Sequence, residues 1–257
     1  MSRDFTIEIY NELLGAFISE GYIFQTYRDF ILDPAEKVVI LRHDVDDRKL
    51  HSLKFAQMQN QLGIKATYYF RVVPESFDSE LMKEIESMGH EVGLHYEEMD
   101  LARGDREKAY NLFLNHLKTF REIVDVKTIC MHGSPKSKFD NKDIWRDHDY
   151  RSLGLIGEPY FDLNVDEVFY ITDTGMMWDG NKYSIRDRMG NGDHHLSFHS
   201  TQQIIQSLRA GNFPKKCMMN FHPQRWHEDS FNWYLEKLGQ SAKNIVKRMM
   251  LYYRNAG

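Results

Sequence analysis

The 257-residue chain reads as an α/β protein, with about seven parallel strands curled into a distorted (β/α) barrel and a single domain over 1–257. Three observations predict this. Strand-like and helix-like segments alternate at least five times, the pattern of parallel strands joined by crossover helices. Strand runs such as Val38-Val39-Ile40-Leu41 and Thr128-Ile129-Cys130-Met131 are apolar throughout, as strands covered on both faces must be. Finally, no glycine-rich dinucleotide fingerprint is present, which together with the length favours a barrel over an open doubly wound sheet.

Taken in order, Phe5, Ile9, Leu13, Leu14, Phe17 and Ile18 fall at helical spacing and predict a first helix over 5–20, within an N-terminal helical extension (1–36). Strands follow at 37–43, 65–72, 90–96 and 126–132, separated by helices over 49–62, 78–89 and 104–122, with a short helix near 141–147. Between 153 and 200 the pattern thins. Apolar runs at 168–172, 183–186 and 196–199 suggest strands with longer loops. The alternation then recovers as a helix over 201–210 capped by Ser200 or Thr201, a strand at 217–222 and a last helix over 228–253.

Composition narrows the class. With 42% hydrophobic and 28% charged residues the chain is neither disordered nor fibrous. A net charge of −5 with mixed signs lacks the basic stripe of a nucleic-acid binder. Its longest apolar runs are far below the ~20 residues of a membrane span, so no transmembrane segment is expected. The N-terminal stretch has no basic region followed by a cleavage site, which points to the cytoplasm. Cys130 and Cys217 each lie in apolar runs and read as buried thiols. The oligomeric state is left open.

Twelve histidines are many for this length, and several close strands. The first strand runs into His43-Asp44-Val45-Asp46-Asp47, the next two of interest into His95-Tyr96-Glu97 and His132-Gly133-Ser134, and the last into His222-Pro223. In parallel α/β architectures the carboxyl ends of the strands converge on one face, where ligands bind. Asp44, Asp46, His95, His132 and His222 are therefore expected at one mouth. The competing explanation is that Asp46 and Asp47 merely cap the following helix. Carboxylate plus imidazoles is the donor set of one divalent transition metal, zinc foremost, with cobalt, nickel or iron as alternatives. In a DxD pair, one acid can hold the metal while the other takes a proton from water.

The stretches Arg42–Asp47 (RHDVDD), Gly89–Glu97 (GHEVGLHYE) and Asn220–Trp226 (NFHPQRW) resemble the polysaccharide deacetylases of carbohydrate esterase family four. The resemblance spans about 37–226. It is closest to a branch associated with bacterial surface-polysaccharide (O-antigen type) biosynthesis, in which stretches like Met131–Pro135 and Asp173–Gly180 recur. It implies a metal-dependent N-deacetylase with Asp44 as base, Asp46 and His95 as metal ligands and His222 as the acid that protonates the leaving amine. The family's second histidine ligand would fall on Met99, a departure. His132 is the preferred replacement, with Glu97 and His222 as rivals; His132 itself stands about where the family carries an arginine.

Other residues carry two readings each. Arg71 could bind an anionic substrate group, orient Asp44 or form a surface ion pair. His43 could contact substrate, steady a carboxylate or be a buried hydrogen-bonding group. Trp178 suits stacking on a sugar ring or an ordinary core position. His43, Arg71, Glu97 and Trp178 are accordingly the candidate substrate-binding set. His90 and Glu91 are expected to stabilise the entry of their strand.

The function expected is removal of an N-acyl, foremost N-acetyl, group from a sugar, a sugar nucleotide or a lipid-linked precursor. Two other enzyme readings use the DxD alone: a magnesium-dependent phosphatase with Asp44 as nucleophile, and a metal-chelating glycosyltransferase. Both leave the imidazoles idle. A catalytically silent, deacetylase-like carbohydrate-binding protein is the alternative from another class.

Overall fold

The computed structural model describes residues 3–134, 137–178 and 196–255. Seven strands pair in parallel: β1 (Ile23–Gln25), β2 (Val38–Val45), β3 (Thr67–Phe70), β4 (Glu91–Tyr96), β5 (Ile129–Met131), β6 (Phe169–Thr172) and β7 (Lys216–Phe221). The order across the sheet is β5-β4-β3-β2-β7-β6. It curls into a half-barrel, the distorted barrel expected, and among the described residues no ladder joins β5 to β6. Strand β1 pairs with Val38–Ile40 of β2 and β3 with Arg42–Val45, so these two short strands lie end to end along one side of β2.

The helices are α1 (Ile7–Ser19), α2 (Tyr27–Leu32), α3 (Leu50–Gln61), α4 (Ser79–Ser87), α5 (Glu98–Leu101), α6 (Arg106–Arg121), α7 (Pro159–Asp162), α8 (Thr201–Arg209) and α9 (Ser230–Asn255). Thr6, Thr26, Asp78, Asp105 and Ser200 cap α1, α2, α4, α6 and α8 through side-chain oxygens. Helix α3 has no such cap; Asp47 accepts only the neighbouring Arg48 N–H at 2.7 Å, so capping does not account for the acids of the DxD stretch. No helix among the described residues is long and apolar enough to cross a membrane. Cys130 and Cys217 are both buried, as expected.

Strand alternation sorts side chains into two layers. On β2, Val39 and Leu41 join the main core beneath the helices, with Phe17, Phe55, Phe70, Leu94 and Phe221. Val38 and Ile40 point the other way, into the concave side, where Tyr27, Leu163, Tyr170 and Met218 fill the lower half of the barrel. The upper half of that concave side is polar.

Glu91 links the short strands at the base. Its buried carboxylate accepts from Arg28 N at 2.9 Å, Thr67 Oγ1 at 2.9 Å and Thr128 Oγ1 at 2.5 Å. It thus fastens α2, β3 and the approach to β5 from one point on β4. Burial raises its pKa in spite of these donors. Gly93 marks a close approach: a Cβ there would stand 2.5 Å from the Thr128 carbonyl oxygen.

Two local expectations change. Residues 1–36 are not only helical, because β1 joins the sheet; three residues are too few to show a period. Residues 196–199 form no strand and instead lead into α8, with the His199 N–H donating to Gln203 Oε1 at 2.7 Å. The expected strand at 183–186 lies outside the described residues.

Candidate active site

The register of the sheet assembles the site. His43 lies opposite Phe221, so Asp44 and His222 stand one step beyond as neighbours on β2 and β7. His95 pairs with Cys130 and Tyr96 with Met131, which sets His132 beside Glu97. Val45 pairs with Phe70, bringing Arg71 next to Asp46. Asp44, Asp46, His95, His132 and His222 therefore meet at the carboxyl ends of the strands.

Three of the four carboxylates here are matched by a guanidinium. Arg42, fully buried, donates to Asp44 through Nε (2.9 Å to Oδ1) and an Nη (2.6 Å to Oδ2). Asn220 adds 3.0 Å to Oδ2. Arg71 grips Glu97 in the same two-pronged way, at 3.1 and 2.7 Å. Arg225 donates to Asp173 at 2.9 Å.

Asp46 is the carboxylate of the cluster that no guanidinium meets. It faces imidazoles instead: His95 Nε2 at 3.5 Å and His132 Nε2 at 3.6 Å from Oδ1, and His222 Nε2 at 3.7 Å from Oδ2. All three rings turn Nδ1 away to an acceptor. His95 Nδ1 reaches the Cys130 carbonyl at 2.9 Å, His222 Nδ1 reaches Asp173 Oδ1 at 2.6 Å, and His132 Nδ1 lies 3.2 Å from Glu97 Oε2. The last contact is electrostatic, its angle being off that of a formed hydrogen bond. A proton on Nδ1 leaves the Nε2 lone pair free to coordinate.

This donor set fits a metal ion. Asp46 Oδ1 is buried without a hydrogen-bond partner, and Asp46, His95 and His132 present ligand atoms within 4.8 Å of one another. Tetrahedral ligands about 2.1 Å from an ion stand roughly 3.4 Å apart, close to the spacings seen. A second group, Asp44, His95 and Cys130, also lies within that distance. There the guanidinium of Arg42 already takes both Asp44 oxygens.

The electrostatics follow from burial opposed by partners. Burial would raise the Asp44 pKa, but Arg42 above all, then His95 and His222, hold it below its ordinary value. Asp46 is likewise pushed up by burial, yet the surrounding imidazoles bring it well below. Glu97, against the same burial, is held at about 2 by His132 and Arg71. His95 is raised, because Asp44 and Asp46 outweigh its burial.

Two candidate residues are placed elsewhere. His43 points to the helix side of β2, stacked on Tyr68 at 4.3 Å, with its ring nitrogens at 3.0 Å from Gln59 Nε2 and 3.2 Å from the Thr67 carbonyl. It is adjacent in sequence to Asp44 and therefore on the opposite face, a core histidine without access to the mouth. Burial lowers its pKa to about 3. Trp178 is buried beside Phe5, Phe221 and Trp226, and its indole N–H donates to Thr201 Oγ1 at 2.8 Å. Both are corrected from substrate-binding candidates to core residues. Arg71 and Glu97 do lie at the mouth, but bound to each other.

Four residues of the site escaped the sequence reading: Arg42, Asp173, Asn220 and Arg225. Arg42 and Asn220 each lie two residues before a candidate, hence on the same strand face. Asp173 closes β6 in the way the histidines close theirs. It accepts from His222 N (2.9 Å), His222 Nδ1, Arg225 and Trp226 Nε1 (2.7 Å). Arg225 follows His222 within one 3-10 turn (Pro223–Arg225).

Neither a protein-family model nor a curated protein matches the chain. Among solved structures it is similar to a family 4 carbohydrate esterase from Bacillus anthracis, at 15% identity and a TM-score of 0.42, covering 84% of this chain and 93% of that one. It is also similar to a CE4 esterase from Streptococcus mutans, at 12% identity and a TM-score of 0.44, over 93% of this chain and 91% of that one.

Proposed function

We propose that the protein is a metal-dependent hydrolase that removes an N-acyl group, foremost N-acetyl, from a sugar. The observation that carries the reading is the division of labour around Asp46. A ligand set of Asp46, His95 and His132 stands beside one carboxylate fixed by arginine, Asp44, and one imidazole fixed by carboxylate, His222. The motif resemblance described above assigns the same roles to Asp44, Asp46, His95 and His222.

Asp46, His95 and His132 would hold one divalent transition metal, zinc foremost, which when bound polarises an acyl carbonyl and acidifies a water. Asp44, ionised at neutral pH because Arg42 opposes its burial, takes the proton of the attacking water. Each of its oxygens keeps its orientation through the two-pronged contact with Arg42. His222 then gives a proton from Nε2 to the departing nitrogen, since an amide nitrogen leaves only as an amine. Asp173 holds the opposite ring nitrogen, which fixes the ring's orientation and tautomer. Arg225 and Trp226 position Asp173 in turn.

The cytoplasmic setting, the surface-polysaccharide pathway and a sugar nucleotide or lipid-linked sugar as the natural substrate belong to the same proposal. The test is release of acetate and appearance of a free amine from a panel of N-acetylated sugars: free, nucleotide-linked and lipid-linked. Turnover on one of them, lost by at least about 10³-fold in Asp44→Asn and in His222→Ala, is the expected result. Release of inorganic phosphate from a sugar phosphate with no acyl release would replace the proposal with the phosphatase reading.

A further inference from the structure

We propose that Glu97, clamped by Arg71, is a positioning residue that aims the imidazole of His132 at Asp46, and that neither Glu97 nor Arg71 is there to bind substrate. The inference rests on the metal-site reading above and assigns these two residues a task within it.

The need arises from where His132 sits. His95 lies within β4, and its Nδ1 is held by a carbonyl of the adjacent strand, a fixture of the sheet itself. His132 comes one residue after β5, a strand of three residues at the open edge. Its backbone N–H is still held by Tyr96 O at 2.8 Å, but its ring has no strand carbonyl behind it. A side chain must do that work, and Glu97 Oε2 lies 3.2 Å from Nδ1.

Glu97 is built for orientation. Both its oxygens accept from Arg71, which fixes the plane of the carboxylate, and its side chain is only 7% exposed, which leaves little surface for a sugar. Arg71 in turn donates to the Asp46 carbonyl at 3.1 Å, while its own N–H is pinned by Ser76 Oγ at 2.9 Å. One guanidinium thus braces both the carboxylate behind His132 and the loop that carries Asp46. Outer carboxylates that fix a ligand imidazole typically contribute 10–100-fold to metal affinity.

The experiment is a Co²⁺ titration of the untagged full-length protein against a chromophoric chelator. Wild type is compared with Glu97→Gln, Glu97→Asp, Arg71→Lys and His132→Ala, and with each of the first three combined with His132→Ala. Glu97→Gln and the charge-preserving Glu97→Asp should both weaken binding about 10–100-fold. Arg71→Lys keeps the charge but loses the fork, and should weaken it in the same direction even if the Glu97 variants prove unstable. In the His132→Ala background the two Glu97 changes should alter the residual affinity less than about twofold, because Glu97 acts through His132, whereas Arg71→Lys keeps the part of its effect that runs through the Asp46 carbonyl.

Undiminished affinity in Glu97→Asp, or equal losses with and without His132, would overturn the proposal and leave a bare charge effect. If wild type binds Co²⁺ and His132→Ala weakens that binding while the Glu97 and Arg71 variants keep wild-type affinity, this inference alone fails. If wild type takes up no metal, the inference falls together with the metal-site reading.

Discussion

Replacing Asp173 by Asn removes one charge at the point where His222, Arg225 and Trp226 converge. Each carboxylate oxygen accepts two hydrogen bonds: Oδ1 from His222 Nδ1 and Arg225, Oδ2 from His222 N and Trp226 Nε1. An amide in its place turns one of these acceptors into a donor, whichever way it lies. Two buried donors then lose their acceptor at about 1–3 kcal/mol each, and the Arg225 charge is left without its partner. Removing one member of a buried pair costs about 3–5 kcal/mol, and that is the loss of stability expected. Catalysis should fall further than folding. An imidazole without its carboxylate is no longer held in one orientation and tautomer, and the equivalent change in a serine-protease triad costs ~10⁴ in kcat. For Asp173→Asn we expect kcat to fall about 10²–10⁴-fold with KM and metal content little changed, read from steady-state kinetics and elemental analysis on protein shown to be folded. A kcat within fivefold of wild type would refute the role given to the His222–Asp173 pair.

Three further outcomes follow from buried groups. Arg42→Met removes the largest force opposing the burial of Asp44, so its pKa should rise and the acid limb of the kcat/KM profile should move to higher pH; an unmoved limb would separate Asp44 from proton transfer. Glu158, buried and accepting from Met131 N and Tyr160 N, is raised by burial from 4.5 to about 7. Because the fold favours its protonated form, this stabilisation is complete below pH 4.5 and is lost as pH rises through about 7, on the order of 3 kcal/mol; Glu158→Gln should flatten that slope in urea melts at pH 5 and pH 8. Gly93→Ala drives a Cβ against the Thr128 carbonyl, part of the backbone, and should cost about 1–3 kcal/mol in urea unfolding with the site chemistry intact; wild-type stability would mean that β4 and β5 can separate there.

What could be read in advance was whatever repeats along a strand. The apolar runs located β2 to β7 within a few residues, and the rule that strand ends share one face brought Asp44, Asp46, His95, His132 and His222 together from four separate strand ends. What failed was a matter of face and of short range. His43 looked like a partner of Asp44 because it is its neighbour in sequence, but neighbours on a strand point to opposite sides. Arg42 and Asn220, two residues before Asp44 and His222, were the positions that the same rule selects. Strand β1 has three residues and no readable period, and its place is fixed by pairing with Val38–Ile40 of β2. The partner of each imidazole was not legible at all, because Glu97 to His132 and Asp173 to His222 are contacts across strands set by register.

The central claim is that Asp46, His95 and His132 hold an ion. Elemental analysis of untagged protein, beside Asp46→Ala and His95→Ala, addresses it most directly, since a polyhistidine tag would bind metal itself. About one divalent transition metal per chain is expected in the wild type, and its loss in both variants. A wild-type chain that stays empty after reconstitution with Zn²⁺, Co²⁺, Ni²⁺ or Fe²⁺, or variants that keep the metal, would contradict it.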